Sequence, residues 1–302
     1  MENETVLRSL KDRLLRLVPE PGRYSTAIEG LKLARRETDT RVECIDDPLV
    51  GVFVQGHKRA FIADVEYRCG EGQFIAIGMD LPSVSRITGA TPETPHLALS
   101  IPLDRSVLSQ LVAEVEPAPQ TRVYQGVTVG AAAAELLDAC LRLLNLLDAP
   151  ERIPVLAPMI IREIHYFLLT GPEGEDFRLL GTAESPNNQI ARAISWLREH
   201  YRELFNLADL AAQVNMSRTS FCRHFSRITG MSPLRFQKRL RLYEARRLML
   251  TGDTSAETAA FAVGYDSPTQ FNREYKRQFG EPPYRDMQRL IAAEAAVGEE
   301  MA

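Results

Sequence analysis

The chain has 302 residues, 45% hydrophobic and 25% charged, with a formal net charge of −4. That balance belongs to a soluble globular protein with room for two domains, and it excludes disordered and membrane-spanning classes. The most apolar stretches, 131–147 and 153–169, are broken by Glu135, Asp138, Arg142, Pro158, Arg162 and Glu163, and the N-terminal region lacks the apolar core of a signal peptide, so no membrane partner and a cytoplasmic location are expected.

Residues 3–18 read as an amphipathic helix with Leu7, Leu10, Leu14, Leu15 and Val18 on one side, stopped by Pro19 and Pro21. From about 41 to 103, strand-like runs alternate with turns: Leu49 to Val54, Ala60 to Tyr67, Gln73 to Ile77, Val84 to Ile87 and Leu97 to Ile101. Many short strands with regular turns predict an antiparallel sandwich or barrel. Phe53, Phe61, Tyr67 and Phe74 are candidates to line an effector pocket within it, although alternating aromatics in strands equally make plain core. Two helices follow, at about 130–147 and 156–169. The first is apolar over more than half its circumference, through Leu136, Leu137, Cys140, Leu141, Leu143, Leu144 and Leu147, which suits either burial in its own domain or pairing with a second subunit. Residues 170–187 read as a polar hinge.

The rest is helical and carries one pattern twice. Ser217-Arg-Thr-Ser-Phe-Cys-Arg-His-Phe225 lies over Ser267-Pro-Thr-Gln-Phe-Asn-Arg-Glu-Tyr275, each running into a terminating glycine, Gly230 or Gly280. Aromatics four apart share a helix face, while the Arg between them points elsewhere. Asn206 and the Thr254-Ser-Ala-Glu257 box are expected to cap the first helix of each copy, and Ser267-Pro268 and Ser232-Pro233 to open the helices that follow them. Turns are expected at Asn215 and Gly264, the residue types that best tolerate a left-handed backbone. One buried stripe and one presented Arg, made twice, is what two adjacent segments of major groove require.

Charge is distributed to match. Between Met216 and Met287 there are 13 Lys and Arg against 7 Asp and Glu, so this segment is near +6 and the remainder near −10. A basic module on an acidic body concentrates phosphate attraction in one place.

The region from about 188 to 288 resembles the DNA-binding domain of the AraC/XylS family of bacterial transcription regulators. The matching text is Leu210-Ala211, Ser217-x-x-x-Phe-x-Arg-x-Phe225, Thr229-Gly-Met-Ser-Pro233, Ala260-x-x-x-Gly264-Tyr265, Phe271-x-Arg-x-Tyr-Lys276 and Phe279-Gly-x-Pro-Pro-Tyr-Arg285. Residues 20–180 also resemble a cupin-like N-terminal domain of one branch of that family, through Val54-Gln-Gly-x-Lys-Arg59, Tyr67-x-x-Gly-x-Gly72, Asp80-Leu-Pro82, Pro95-x-Leu-Ala-Leu99 and Pro158-x-x-x-Arg162-Glu-Ile-x-Tyr166. The resemblance implies a two-domain α+β protein. A regulatory and dimerising cupin-like barrel would occupy 1–175, a linker 176–187 and tandem helix-turn-helix units 188–302. Within the last, the first unit would fall at 206–228, the linker helix at 233–250 and the second unit at 255–279. By the same resemblance Arg218, Thr219, Cys222, Arg223, Pro268, Thr269, Gln270, Asn272 and Arg273 would meet base edges. Lys238, Arg239, Lys276 and Arg277 would hold phosphates. The partners implied are double-stranded DNA, a small-molecule effector, a second copy of the chain and, for an activator, RNA polymerase.

Other functions find less in the sequence. A cupin enzyme needs clustered His and carboxylate ligands, whereas His57 and His96 stand about forty residues apart and His165, His200 and His224 fall on helices. A methyl-transfer repair protein needs an activated thiolate, and Cys44, Cys69, Cys140 and Cys222 form no Cys-x-x-Cys pair. A purely architectural DNA binder would leave a domain-sized N-terminal region unexplained. No catalytic residue, cofactor or metal is expected.

Overall fold

The computed structural model describes residues 2–62, 65–116, 124, 126–182, 185–251 and 254–299. It falls into two compact units, Met1–Arg192 with Arg223–Gly230, and Ala193–Cys222 with Met231–Ala302.

In the first unit, helix α1 (Glu2–Leu17) precedes nine strands: β1 (Gly22–Ser25), β2 (Lys32–Arg36), β3 (Thr40–Asp46), β4 (Leu49–Gln55), β5 (His57–Ile62), β6 (Val65–Cys69), β7 (Gln73–Ile77), β8 (Leu81–Thr88) and β9 (His96–Pro102). Then come α2 (Arg105–Glu114), β10 (Val127–Ala131), α3 (Ala134–Asn145), α4 (Ile153–Thr170) and α5 (Gly174–Gly181). Strand order is β1-β2-β9-β4-β7-β10 in one sheet and β3-β8-β5-β6 in the other. Every described pairing is antiparallel. β4 lies inside the larger sheet and all but its first residue are buried, which is why its sequence is nearly continuous apolar rather than alternating.

Several expectations change here. The run from Ala60 to Tyr67 is two strands, β5 and β6, paired with Ala60 opposite Tyr67. The apolar face of α3 is spent within its own unit, where it packs on α1 and α4 with Leu136, Leu137, Cys140, Leu143 and Leu144 buried. Arg13 of α1 donates to the Leu144 carbonyl at 3.2 Å and pairs with Asp148 at 2.7 Å. It is α4 that keeps apolar side chains outside: Val155, Met159 and Tyr166 are 66%, 63% and 44% exposed. Residues 150–170 are long and apolar enough to cross a membrane by length and composition alone, despite their interrupting charges. In the fold they pack on α2, α3 and α5. The expected hinge at 170–187 contains α5, whose Phe177 and Leu180 are completely buried; residues 183 and 184 lie outside the described residues.

The helical remainder comprises α6 (Pro186–Glu199), α7 (Leu207–Gln213), α8 (Arg218–Thr229), α9 (Pro233–Thr251), α10 (Ala256–Ala262), α11 (Pro268–Phe279) and α12 (Pro283–Glu299). The caps are side-chain oxygens. Asn206 accepts from the Ala208 N–H at 2.8 Å and Ser267 from the Gln270 N–H at 3.4 Å. At α10 the cap is Ser255, which accepts from the Thr258 N–H at 3.1 Å, one residue later than the box at Thr254 implied. Asn215 has φ 58 and is the sole non-glycine with positive φ among the described residues; Gly264, its counterpart, has φ 86. A side chain at Gly264 would also meet the Arg202 carbonyl oxygen at 2.7 Å, so that turn needs glycine on two counts.

Candidate nucleic-acid interface

The two copies bury equivalent residues and present equivalent ones. Phe221 and Phe225 in α8, and Phe271 and Tyr275 in α11, are completely buried. In α11 these rings join Leu242, Met249, Ala260, Val263 and Met287 in one core. The opposite face of α11 carries Thr269, Asn272, Arg273 and Lys276, all exposed and spaced to lie in one row along the helix. Fifty positions earlier α8 sets out Thr219, Cys222, Arg223 and Ser226 in the same row, exposed except for half-buried Cys222.

Arg218 and Arg223 on α8 and Arg273, Lys276 and Arg277 on α11 are exposed and have no ion-pair or hydrogen-bond partner among the described residues. Their donors are thus available to an outside acceptor. His224 beside them is held below its ordinary value by burial first, then by Arg227 and Arg223, and its Nδ1 lies 2.9 Å from Arg227 Nη2. Pro268 is half-buried at the first turn of α11, where a missing N–H costs nothing.

Two expected contacts are engaged within the protein. Lys238 of α9 pairs with Glu274 of α11 at 2.9 Å, and the Gln270 amide donates to the same carboxylate oxygen at 3.2 Å. The Tyr265 hydroxyl donates to the other oxygen at 2.9 Å. Glu274 is 6% exposed, so Lys238 serves to hold a buried carboxylate and to join α9 to α11. Arg239 is half-buried, its guanidinium 6.0 Å from the centre of the Tyr243 ring.

The scaffold residues escaped sequence reading. Arg241 of α9 donates from Nε to the Tyr201 carbonyl at 2.6 Å, from Nη1 to the Gly264 carbonyl at 2.7 Å and from Nη2 to the Arg202 carbonyl at 3.0 Å. Gln237, one turn earlier, donates to the carbonyls of Tyr201 and Glu203 at 3.1 and 2.6 Å. These bonds satisfy turn carbonyls that no helix ladder reaches. The signal was present as Gln and Arg at helical spacing in an otherwise apolar phase of α9, where basic composition made Arg241 look like one more solvated cation.

In the first unit a cavity of about 130 Å3 lies between the two sheets. Of the aromatics expected around it only Phe53 lines it, 5.8 Å from the His96 ring. Phe74 is one residue out of phase with lining Ile75 and packs outward on Phe177, ring centres 6.2 Å apart. Phe61 is likewise out of phase and lies under Arg59, while Tyr67, on edge strand β6, is outside the lining. Burial pushes the Cys44 thiol up to about 12 and the Cys69 thiol to about 11, the opposite of an activated nucleophile. Among the described residues no three His, Cys, Asp or Glu side chains converge as a metal site.

Residues 27–176 match the family model described as the AraC-type transcriptional regulator N-terminus, and residues 210–289 match a helix-turn-helix domain. The HTH-type transcriptional regulator ExsA of Pseudomonas aeruginosa is 28% identical over 183 residues, 61% of this chain and 63% of ExsA. The HTH-type transcriptional activator RhaS of Pectobacterium atrosepticum is 29% identical over 136 residues, 45% of this chain and 47% of RhaS. The matches thus span less than two thirds of these relatives' lengths. Unsaturated fatty acid-bound ToxT of Vibrio cholerae shares the fold, with a TM-score of 0.58 at 11% identity over 85% of this chain and 94% of that one. Helix-turn-helix copies at the carboxyl end and the matched domain at the amino end together place the chain in the AraC/XylS family of transcriptional regulators.

Proposed function

We propose that this protein is a cytoplasmic, sequence-specific DNA-binding regulator of transcription, an activator on the pattern of RhaS, whose N-terminal barrel takes a small-molecule effector. The observation that carries the reading is the repeated row, Thr219-Cys222-Arg223 and Thr269-Asn272-Arg273, presented by helices that bury matching aromatics. An unpaired Arg can donate to guanine O6 and N7 together, which discriminates by roughly 1–3 kcal/mol. Helix α9 has 19 residues and is therefore about 28 Å long, close to the ~34 Å repeat of B-form DNA.

The labour divides between 1–175 for regulation and 188–302 for DNA. Arg223 and Arg273 read bases, with Arg218, Thr219, Cys222, Pro268, Thr269 and Asn272 beside them. Lys276 and Arg277 hold phosphates. Gln270 and Lys238 act from behind, through Glu274. RNA polymerase is the second macromolecular partner. A second copy of the chain docks on the exposed row of α4 rather than on α3, whose apolar face is already covered. No catalytic step or cofactor is assigned. ToxT with its bound fatty acid supports an effector in the barrel, since the two chains share that fold.

The test is selection of genomic fragments by the purified full chain against random competitor at moderate ionic strength. Enrichment of a recurring site with two contacted segments about one helical turn apart is expected. Indifference to sequence would overturn the reading.

A further inference from the structure

Strand register sets the charged phase of β2 toward the space between the two sheets. In β2 Lys32, Ala34 and Arg36 share the strand face toward the cavity; Leu33, of the other phase, also borders it, and Arg35 does not. Arg23 of β1 stands opposite Ala34, Arg36 opposite His96, and Lys32 opposite Ser100. From the second sheet, Lys58 enters opposite Ile87. Four cations therefore line the cavity against one carboxylate, Asp46. That carboxylate accepts from Ser83 and from the Cys44 thiol. None of the four cations forms an ion pair with a carboxylate among the described residues.

Lys32, Arg36 and Lys58 are half-buried and Arg23 is exposed, and like charges gathered where three of them are partly desolvated repel one another unless something neutralises them. Their crowding is felt locally: Arg36 is pushed below its ordinary value by burial and then by Arg23. His96, 2% exposed, is lowered to about 4 by burial and then by Lys58, Arg36 and His57, and its Nδ1 has no hydrogen-bond partner. The His96 ring is part of the cavity lining, and a Cβ added at Gly56 would meet its Nδ1 at 3.1 Å. Beyond the charges the wall combines apolar Leu49, Phe53, Ile75 and Ile77 with Thr40, Ser85 and Ser100, and Gly51 leaves room above the sheet centre. A volume of about 130 Å3 compares with the ~150 Å3 of a cavity that takes benzene.

We propose that this cavity binds a compact organic anion. One carboxylate or phosphate would sit among Arg23, Lys32, Arg36 and Lys58, with an apolar body about the size of a six-membered ring over Gly51 and against Phe53 and Ile75. The proposal rests on the effector reading above and adds the ligand's charge and size.

The test uses the full chain, with cyclohexanecarboxylate and phenyl phosphate as anionic probes and cyclohexanecarboxamide as the neutral isostere of the first. Thermal unfolding and calorimetric titration at millimolar probe should show an anion raising Tm and the amide leaving it unchanged. Arg36→Met and Lys32→Met should each weaken anion binding by about tenfold or more. Without probe they should leave Tm unchanged or higher. Arg86→Met, an exposed charge on the other phase of β8, should change neither. Equal binding of amide and acid would overturn the anion assignment while the effector reading stands. A fall in Tm in both cation variants, with no anion bound by the parent chain, would show that the cations are structural and overturn the proposal. If, in addition, deleting 1–175 left promoter control unaltered, the effector reading would fall with it.

Discussion

Arg246 of α9 and Asp286 of α12 are joined at two points, Nε to Oδ2 at 2.8 Å and Nη2 to Oδ1 at 3.0 Å, with the carboxylate completely buried. The same Asp286 accepts from the Tyr275 hydroxyl at 2.8 Å and from Arg289 at 2.5 Å. One buried carboxylate thus gathers α9, α11 and α12. Removing one partner of a buried pair costs about 3–5 kcal/mol, because the other charge is left uncompensated. Asp286→Ala is expected to lower stability in urea by that order while Arg273 stays exposed. A loss under about 1 kcal/mol would show that the pair is a surface-like contact.

Arg273 and Lys276 lie one turn apart on the same exposed row but are assigned different work. Arg273→Ala should relax preference at one base pair of the operator by roughly 1–3 kcal/mol. Lys276→Ala should weaken all sequences alike and reduce the slope of log affinity against log salt by about 1. Binding to operator and base-substituted duplexes across a salt series separates the two. A uniform loss from Arg273→Ala would reassign that residue to phosphate.

Lys238 supplies a contrasting case. Because its ammonium is held by Glu274, which is 6% exposed, Lys238→Ala should leave the salt slope close to that of the parent. Stability should fall by about 1–3 kcal/mol as the buried carboxylate loses its partner. A slope reduced by about 1 with stability intact would place Lys238 on a phosphate after all.

Two histidines of the first unit make stability depend on pH in a defined direction. His165 is completely buried, accepts from the Asp104 N–H at 2.9 Å through Nε2 and meets the Ile161 carbonyl at 2.7 Å through Nδ1. Both bonds are made at once only by the neutral ring. Burial lowers His165, and burial together with Lys58, Arg36 and His57 lowers His96 to about 4. Each folded value lies below the unfolded one of about 6.5, so as pH falls the unfolded chain takes up protons first. Stability is full above about 6.5 and is lost toward pH 4, at up to ~1.4 kcal/mol per unit for each site. Urea midpoints across that range measure it, and His96→Phe should flatten the curve.

The exposed row on α4 predicts association. Met159 and Val155 are 63% and 66% exposed, and Met159→Lys with Val155→Glu should shift sedimentation from dimer to monomer without lowering Tm. A parent chain that sediments as a monomer would overturn the association, and a dimer unchanged by the substitutions would overturn this row as its contact.

The helical third was legible because its signals are local. Caps, positive-φ turn residues and aromatics four apart act within one or two helical turns, so Ser267, Gly264, Phe271 and Tyr275 could be placed from spacing alone. Gln270 and Lys238 were read as DNA contacts, and composition does not reveal that both, though exposed, also bond Glu274, which is buried next to the presented Arg273. In the first unit, β2 and β3 escaped notice since their cavity-side residues mix Lys32, Arg36, Thr40 and Asp46 with Ala34, Val42 and Cys44. A search for apolar alternation passes over a strand whose inner phase is interrupted by polar and charged residues.

The amino-acid order by itself determined that two helix-turn-helix copies would form and which Arg of each would stand clear, because helix periodicity assigns faces without reference to anything distant. What lies opposite a given strand residue was decided only by tertiary structure. A shift of one position exchanges the two faces of a sheet, and pairing partners such as Arg36 and His96, sixty residues apart, are brought together only by assembly of the whole six-stranded sheet.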